Sequence, residues 1–176
     1  GQGYVGLSLS VLLSQINSVT ALDVDEKKVN LINKCQSPIK DKEIEDYLAS
    51  KKLNLKATTN KNEAYKDASL VIIAVPTDYD ISTGSFNTKI VEDIIKDILL
   101  LNTSATIVIK STVPIGFTDM IKSKFSISNI FFSPEFLRET KALYDNLYPS
   151  RIVVGEVNDE ATVFANLLLE VSLNDK

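Results

Sequence analysis

Short apolar runs alternate with amphipathic stretches along the whole chain. Val19-Thr20-Ala21-Leu22, Leu70-Val71-Ile72-Ile73-Ala74-Val75, Thr106-Ile107-Val108-Ile109-Lys110 and Asn129-Ile130-Phe131-Phe132-Ser133 are too short for helices and rich in β-branched or aromatic residues. Such runs predict strands, and the continuous 70–75 run predicts a central parallel strand buried on both faces. Residues 53–58 form a further short strand candidate, and Arg151-Ile152-Val153-Val154-Gly155 closes the regular pattern. Between the runs, apolar residues recur at helical spacing. They are Leu9, Leu12, Leu13 and Ile16; then Val29, Leu31 and Ile32; then Ile44, Tyr47 and Leu48 behind an Asp41 cap. Residues 60–66, 117–125 and 161–171 add three more helices. The longest stripe is Ile90, Val91, Ile94, Ile95, Ile98 and Leu99, capped by Asn87 or Thr88. Residues 78–86, polar and containing Gly84, read as a loop. Strand and helix alternate without a repeat or low-complexity segment, so the pattern predicts an α/β fold, a doubly wound parallel sheet of Rossmann type.

The opening residues give that sheet a purpose. Gly1, Gly3 and Gly6 form G-x-G-x-x-G directly before the first helix. The first glycine permits a tight turn, the second leaves room for a pyrophosphate against the backbone, and the third lets the helix pack closely. The N–H groups at the helix start and the positive end of its dipole favour phosphate. An acid is expected about 20 residues on, and Asp23 closes the first apolar run. A carboxylate there accepts hydrogen bonds from ribose hydroxyls and repels a 2′-phosphate, which favours NAD over NADP. The motif also calls for a strand before the first glycine. The chain begins at Gly1, so the expectation is a sheet whose first strand is missing, a fragment of marginal stability. In an open α/β sheet ligands meet the carboxyl ends of the strands. The polar residues at those ends, Thr77, Thr112 and Glu135, are therefore expected on one edge beside the glycine turn.

Composition narrows the partners. The 176 residues carry a net charge of −4 and no histidine, which argues against nucleic acid or an anionic membrane as the partner. Without histidine, Ser-His-Asp and Cys-His catalysis and His-ligated metal sites are excluded within this chain; no metal is expected. One cysteine, Cys35, forbids an internal disulfide and fits a reducing, cytoplasmic setting. It reads as a partly buried small residue. No apolar run approaches the length of a membrane span. Asn102-Thr103-Ser104 matches a glycosylation sequon, a chance match in such a setting.

Further motifs carry a resemblance. Ser37-Pro38-Ile39, Val75-Pro76-Thr77, Lys110-Ser111-Thr112-Val113-Pro114-Ile115-Gly116, Ser133-Pro134-Glu135-Phe136-Leu137-Arg138-Glu139 and Tyr148-Pro149-Ser150-Arg151 join the glycine turn, Asp23 and Lys28. With them the chain resembles the N-terminal, NAD-binding domain of the UDP-glucose/GDP-mannose dehydrogenase family. The resemblance implies oxidation of the C6 alcohol of UDP-glucose to UDP-glucuronate with two NAD⁺, in polysaccharide biosynthesis, by a homodimer. It implies cofactor contacts at Gly1, Gly3, Tyr4, Val5, Gly6, Asp23, Lys28, Thr77, Thr112 and Glu139. It implies a catalytic set of Glu135, Thr112 and Glu139, with Glu135 activating the water that hydrolyses a thioester. Glu135, Phe136, Leu137, Arg138 and Glu139 match the segment against the sugar nucleotide. For Arg138 an ion pair with Glu139 or another carboxylate is an alternative.

The expected domain boundaries are 1–156 for the NAD-binding domain and 157–176 for the start of a helix leading to an absent substrate domain. That domain carries the family's nucleophilic cysteine, and Cys35 does not sit in its motif. The chain is therefore expected to be truncated at both ends and inactive alone. Residues 172–176 match nothing in the family's pattern. GDP-mannose or a UDP-N-acetylhexosamine as substrate, and an isolated NAD-binding module without catalysis, are the alternatives. A FAD protein or a methyltransferase fits the segments after Asp23 less well.

Overall fold

A computed structural model describes residues 1–81 and 84–173. In chain order its elements are α1 (Tyr4–Leu13), β1 (Val19–Leu22), α2 (Glu26–Asn33), α3 (Lys42–Ser50), β2 (Leu55–Thr58), α4 (Lys61–Tyr65) and β3 (Leu70–Ile73). Then come β4 (Tyr79–Asp80), β5 (Ser85–Phe86), α5 (Lys89–Leu101), β6 (Thr106–Ile109), α6 (Phe117–Phe125) and β7 (Ile130–Phe132). A 3₁₀ turn (Glu139–Lys141), α7 (Ala142–Leu147) and α8 (Asp159–Val171) complete the chain.

The strands pair in parallel, β1 with β2, and β3 with β6 and β6 with β7. Helical crossovers connect them, as parallel pairing requires. Side chains of β6 show how both faces are covered. Ile107 and Ile109 pack with Val91, Ile95, Ile98 and Ile121 of α5 and α6. Val108, pointing the other way, packs with Leu7, Val11, Leu143 and Phe164 of α1, α7 and α8. A parallel strand enclosed on both faces needs no polar alternation, which is why this run is apolar throughout.

Local chemistry fixes the helix starts. Asp25, Asp41, Asn60 and Asn158 each accept a backbone N–H of their own first turn, satisfying donors that a helix leaves open. The second Asp41 oxygen accepts from Leu143 N at 3.3 Å, which ties α3 to α7. Asn102 closes α5 by donating to the Tyr65 and Ala68 carbonyls, both at 2.8 Å. Its amide is thus occupied by the fold, the structural reason for Asn at the sequon.

Several expectations are corrected. α1 ends at Leu13, and Ile16 lies beyond it, 53% exposed. The 78–86 stretch is not all loop: β4 and β5 form an antiparallel hairpin, with the Tyr79 and Phe86 rings edge to face at 5.2 Å. Ser82 and Thr83 of that stretch, and 174–176 of the tail, lie outside the described residues. The run at 151–155 forms no strand. It is fastened to β7 by single bonds, from Gly155 N to Phe132 O at 2.8 Å and from Ser133 Oγ to Val153 O at 2.8 Å. Cys35 is exposed, not partly buried, and has φ 57° just past α2. Nothing in the pattern announced the helix at 142–147. The strand at 70–73 pairs only with β6 among the described residues, so it is an edge of its sheet and not a central strand. α8 packs into the same core as α1, with the Phe164 and Phe131 rings 5.9 Å apart.

Candidate cofactor and substrate site

The glycine turn is built by close approach. A Cβ on Gly6 would lie 1.8 Å from the Gly1 carbonyl oxygen, and one on Gly1 would lie 3.0 Å from the Ala74 oxygen. Gly6 is therefore required by the packing of α1 on the turn itself. A Cβ on Gly3 would meet nothing within 4 Å. The fold leaves open space there, on the side where α1 begins without a side-chain cap and without an acid in its first turn. The first-turn N–H groups thus lack the side-chain acceptor that α2, α3, α4 and α8 supply at their own starts. Tyr4 and Val5 sit in this turn, both half-buried.

Asp23 locks the turn to the end of β1. One carboxylate oxygen accepts from Gln2 N at 2.5 Å, the other from Asp25 N at 2.9 Å, and the Lys28 ammonium stands 3.9 Å away. The carboxylate is only 7% exposed. Burial by itself would raise its pKa, but the two backbone donors and Lys28 hold it below the ordinary aspartate range. Each oxygen keeps one lone-pair direction for a further donor. Sequence reasoning assigned Asp23 and Lys28 to a ribose; what the structure shows is Asp23 holding the glycine turn.

The other strand ends follow along the same edge. Gly1 lies against Ala74 and Val75, just past β3. Val75 N donates to Ser111 Oγ at 2.8 Å, and Thr77 Oγ1 donates to the Thr112 carbonyl at 2.7 Å. These bonds join the loops after β3 and β6, so the expected pair Thr77 and Thr112 is brought together. From β6 the link continues through Lys110, whose ammonium donates to Pro134 O at 3.0 Å and reaches Ser133 Oγ at 3.4 Å.

Lys110 is the residue that sequence reasoning passed over. It is 9% exposed, and among the described residues no carboxylate lies within ion-pair distance of it. Burial pushes its pKa down to about 8, with the nearby Glu135 charge pulling the other way. The signals in the sequence were a lysine ending an apolar strand and its place at the head of the 110–116 motif. Lys110, Glu135, Asn146, Tyr148 and Arg151 line one pocket of about 120 Å³. Glu135 is half-buried and accepts from Leu137 N at 2.7 Å, leaving its second oxygen free of the bonds described. Asn146, on α7, donates to Ser8 Oγ of α1 at 2.9 Å, coupling this pocket to the helix that starts at the glycine turn.

The rest of the 135–139 segment divides. The Phe136 ring lies under the Arg151 guanidinium, 4.2 Å from centroid to cation. Leu137 lines the pocket. Arg138 forms a two-point pair with Asp145, at 3.1 and 2.6 Å, so its ion-pair partner is another carboxylate and not Glu139. Glu139 is exposed in the 3₁₀ turn and is not brought to the pocket. Among the described residues no cluster of His, Cys, Asp and Glu could hold a metal, and no helix is long and apolar enough to cross a membrane.

The arrangement fits a dinucleotide: an uncapped helix start facing open space, an anchored acid at the next strand end, and hydroxyl-bearing loops on the same edge. Comparison with known proteins agrees. The model of the UDP-glucose/GDP-mannose dehydrogenase family, NAD binding domain, matches residues 1–171. A UDP-glucose 6-dehydrogenase of Streptococcus pneumoniae is 53% identical over 174 residues, covering 96% of this chain and 44% of that protein. One of Campylobacter jejuni is 49% identical, covering 97% and 44%. The chain thus spans less than half the length of these curated relatives. Among solved structures, a ternary complex of GDP-mannose dehydrogenase from Pseudomonas aeruginosa superposes with TM-score 0.83 at 25% identity, over 98% of this chain and 43% of that one. A UDP-glucose dehydrogenase from Pyrobaculum islandicum does so with TM-score 0.83 at 26% identity, over 97% and 42%. The chain belongs to the UDP-glucose/GDP-mannose dehydrogenase family and is its NAD-binding domain.

Proposed function

We propose that this chain is the NAD-binding part of an enzyme that oxidises UDP-glucose to UDP-glucuronate, with two NAD⁺ consumed per sugar. The 53% identity to a relative named UDP-glucose 6-dehydrogenase supports UDP-glucose over other nucleotide sugars. Gly1, Gly3, Tyr4, Val5 and Gly6 hold the diphosphate, and Asp23 with Lys28 holds the adenosine ribose. Thr77 and Thr112, fastened to each other, flank the cofactor's other half. When bound, NAD⁺ supplies the hydride acceptor. The observation that carries this reading is the uncapped α1 start facing open space at Gly3, with the Asp23 carboxylate anchored beside it.

Glu135 is the proton acceptor. Its half-buried carboxylate, with one oxygen bound to Leu137 N, takes a proton from water during hydrolysis of the acylated enzyme, and the buried Lys110 fixes its loop through Pro134. Phe136 and Leu137 contact the sugar nucleotide; Arg138 and Glu139 reach it only by leaving their present positions. The pocket is about 120 Å³, below the roughly 300–1,000 Å³ of a small-molecule site, so it forms one wall of a larger substrate site. α8 leads toward the domain supplying the remainder.

Cys35 lines neither this pocket nor the groove beside the glycine turn, so the 176 residues alone bind NAD⁺ without turning over. Incubation with NAD⁺ and UDP-glucose, GDP-mannose or UDP-N-acetylglucosamine tests this by NADH absorbance. No NADH from the chain, with UDP-glucose preferred by the full-length protein, is expected. NADH from the chain alone would refute its inertness, and preference for GDP-mannose would overturn the substrate.

A further inference from the structure

Lys110 and Glu135 reach one pocket from two neighbouring strand ends. β6 ends at Ile109, and strand alternation puts Lys110 on the side of Val108, toward α1, α7 and α8. Leu12 of α1 and Leu168 of α8 line the pocket with it. Glu135 arrives from the loop after β7, directly behind Pro134. An ammonium is thus sunk in an apolar wall, and a half-buried carboxylate stands on the same pocket.

Both groups are short of partners, with opposite needs. An ammonium carries three N–H donors and no acceptor. Lys110 spends one on Pro134 O at 3.0 Å and reaches Ser133 Oγ with another at 3.4 Å. Ser133 can accept because its own hydroxyl donates to Val153 O at 2.8 Å. Both partners are neutral, and among the described residues no carboxylate lies within ion-pair distance of Lys110. The third donor has no partner among the described bonds. Burial lowers the Lys110 pKa to about 8 against the pull of the Glu135 charge, as expected of an ammonium stripped of water. Glu135 has the complementary deficit. One oxygen accepts from Leu137 N at 2.7 Å, and the other has no donor among the described bonds. The other titratable groups on the pocket are engaged elsewhere: Asp145 with Arg138, the exposed Arg151 over Phe136, and the Tyr148 ring against Tyr144.

We propose that Lys110 is a catalytic residue of the hydrolytic step: its third N–H and the second oxygen of Glu135 hold one water between them, Lys110 donating and Glu135 accepting. This rests on the reading of Glu135 as proton acceptor. A donor and an acceptor on one pocket, too far apart to bond directly, are joined by a water that satisfies both. The pocket of about 120 Å³ has room for it at ~30 Å³ per water. Lys110 occupies one lone pair of the water, Glu135 takes its proton, and the second lone pair is left for attack. The same ammonium also fixes the base, because the Pro134 carbonyl belongs to the peptide that leads into Glu135. One side chain thereby positions both the water and the carboxylate that deprotonates it.

The test uses the full-length enzyme with UDP-glucose and NAD⁺, as wild type, Lys110→Met and Glu135→Gln. Stopped-flow absorbance separates the first NADH formed from the later hydrolysis. Lys110→Met is expected to slow hydrolysis at least about tenfold, the loss of one hydrogen bond from a charged donor. The first NADH should form at the wild-type rate, with an unchanged KM for NAD⁺. A merely structural role would depress both steps together, and that result overturns the proposal, as does undiminished hydrolysis. Glu135→Gln separates the two failures. If it slows hydrolysis while Lys110→Met does not, Lys110 alone loses its role; if neither does, the reading of Glu135 falls as well. A crystal structure of the wild-type enzyme adds a readout that needs no variant to fold. An ordered oxygen atom is expected within about 3.2 Å of both Lys110 Nζ and the Glu135 carboxylate; a pocket without one overturns the proposal.

Discussion

Asp23 and Glu135 are both carboxylates just beyond a parallel strand, on the same edge of the fold, and their surroundings differ in kind. Asp23 is 7% exposed, each of its oxygens accepts a backbone N–H, and a lysine stands beside it. Glu135 is half-buried and spends one oxygen on Leu137 N, while its neighbouring cation, Lys110, is bound to Pro134 and Ser133 instead of to it. A carboxylate held from several sides keeps its charge and its position, which suits reading a ribose. One with an oxygen outside the bonds described, beside a buried amine, has the geometry that the proposed general-base role needs. Residue type alone does not separate the two; the number of donors committed to each does.

The sharpest way to break the comparison is to destroy the turn that Asp23 serves. Gly6→Ala places a methyl group against the Gly1 carbonyl, at 1.8 Å before relaxation. It should cost about 3 kcal/mol in denaturant unfolding and remove NAD⁺ binding; a stable, binding-competent variant would mean that α1 shifts freely.

The Glu135 side is tested through Lys110. Its folded pKa of about 8 lies below the ordinary 10.5, so the unfolded chain binds the extra proton between these values and stability rises with pH across that window. The gain from this residue is about 3 kcal/mol. In Lys110→Met the rise should vanish, and an undiminished slope between pH 7 and 10.5 would assign it elsewhere.

Asp23→Asn should cost about 1–3 kcal/mol in stability, because an amide nitrogen now faces a backbone N–H, and it should weaken NAD⁺ binding. With its folded pKa depressed, Asp23 contributes fully above the ordinary aspartate value near 3.8. That contribution is lost as pH falls through the lower folded value, so acid unfolding of the variant should be flatter there. Glu135→Gln is the counterpart and the smallest effect. Glutamine still accepts from Leu137 N, so stability should change by less than about 0.5 kcal/mol, while in the full-length enzyme hydrolysis slows and the first hydride transfer is spared. Equal stability losses for the Asp23 and Glu135 variants would erase the distinction between the two sites.

Much of this was legible in the sequence because it is local. Glycine spacing, the acid at 23, the β-branched runs and the Asp41 cap each follow from a few neighbouring residues. What escaped depends on partners far along the chain. Lys110 looks like any lysine until Ser133 and Pro134 close over it. Cys35 lies outside because α2 ends at Asn33 and the chain turns left-handed at φ 57°. The six residues of α7 are too few to show a period, and they are held by Asp41, some hundred positions earlier.

The central claim is that the glycine turn and the anchored Asp23 together bind NAD. Calorimetric titration of the folded chain and of Asp23→Asn with NAD⁺ and NADP⁺ tests it most directly. Saturable binding of NAD⁺ to the chain, weaker binding of NADP⁺, and a loss confined to NAD⁺ in the variant are predicted. Absence of saturation with NAD⁺, or equal affinity of chain and variant for it, would contradict the account.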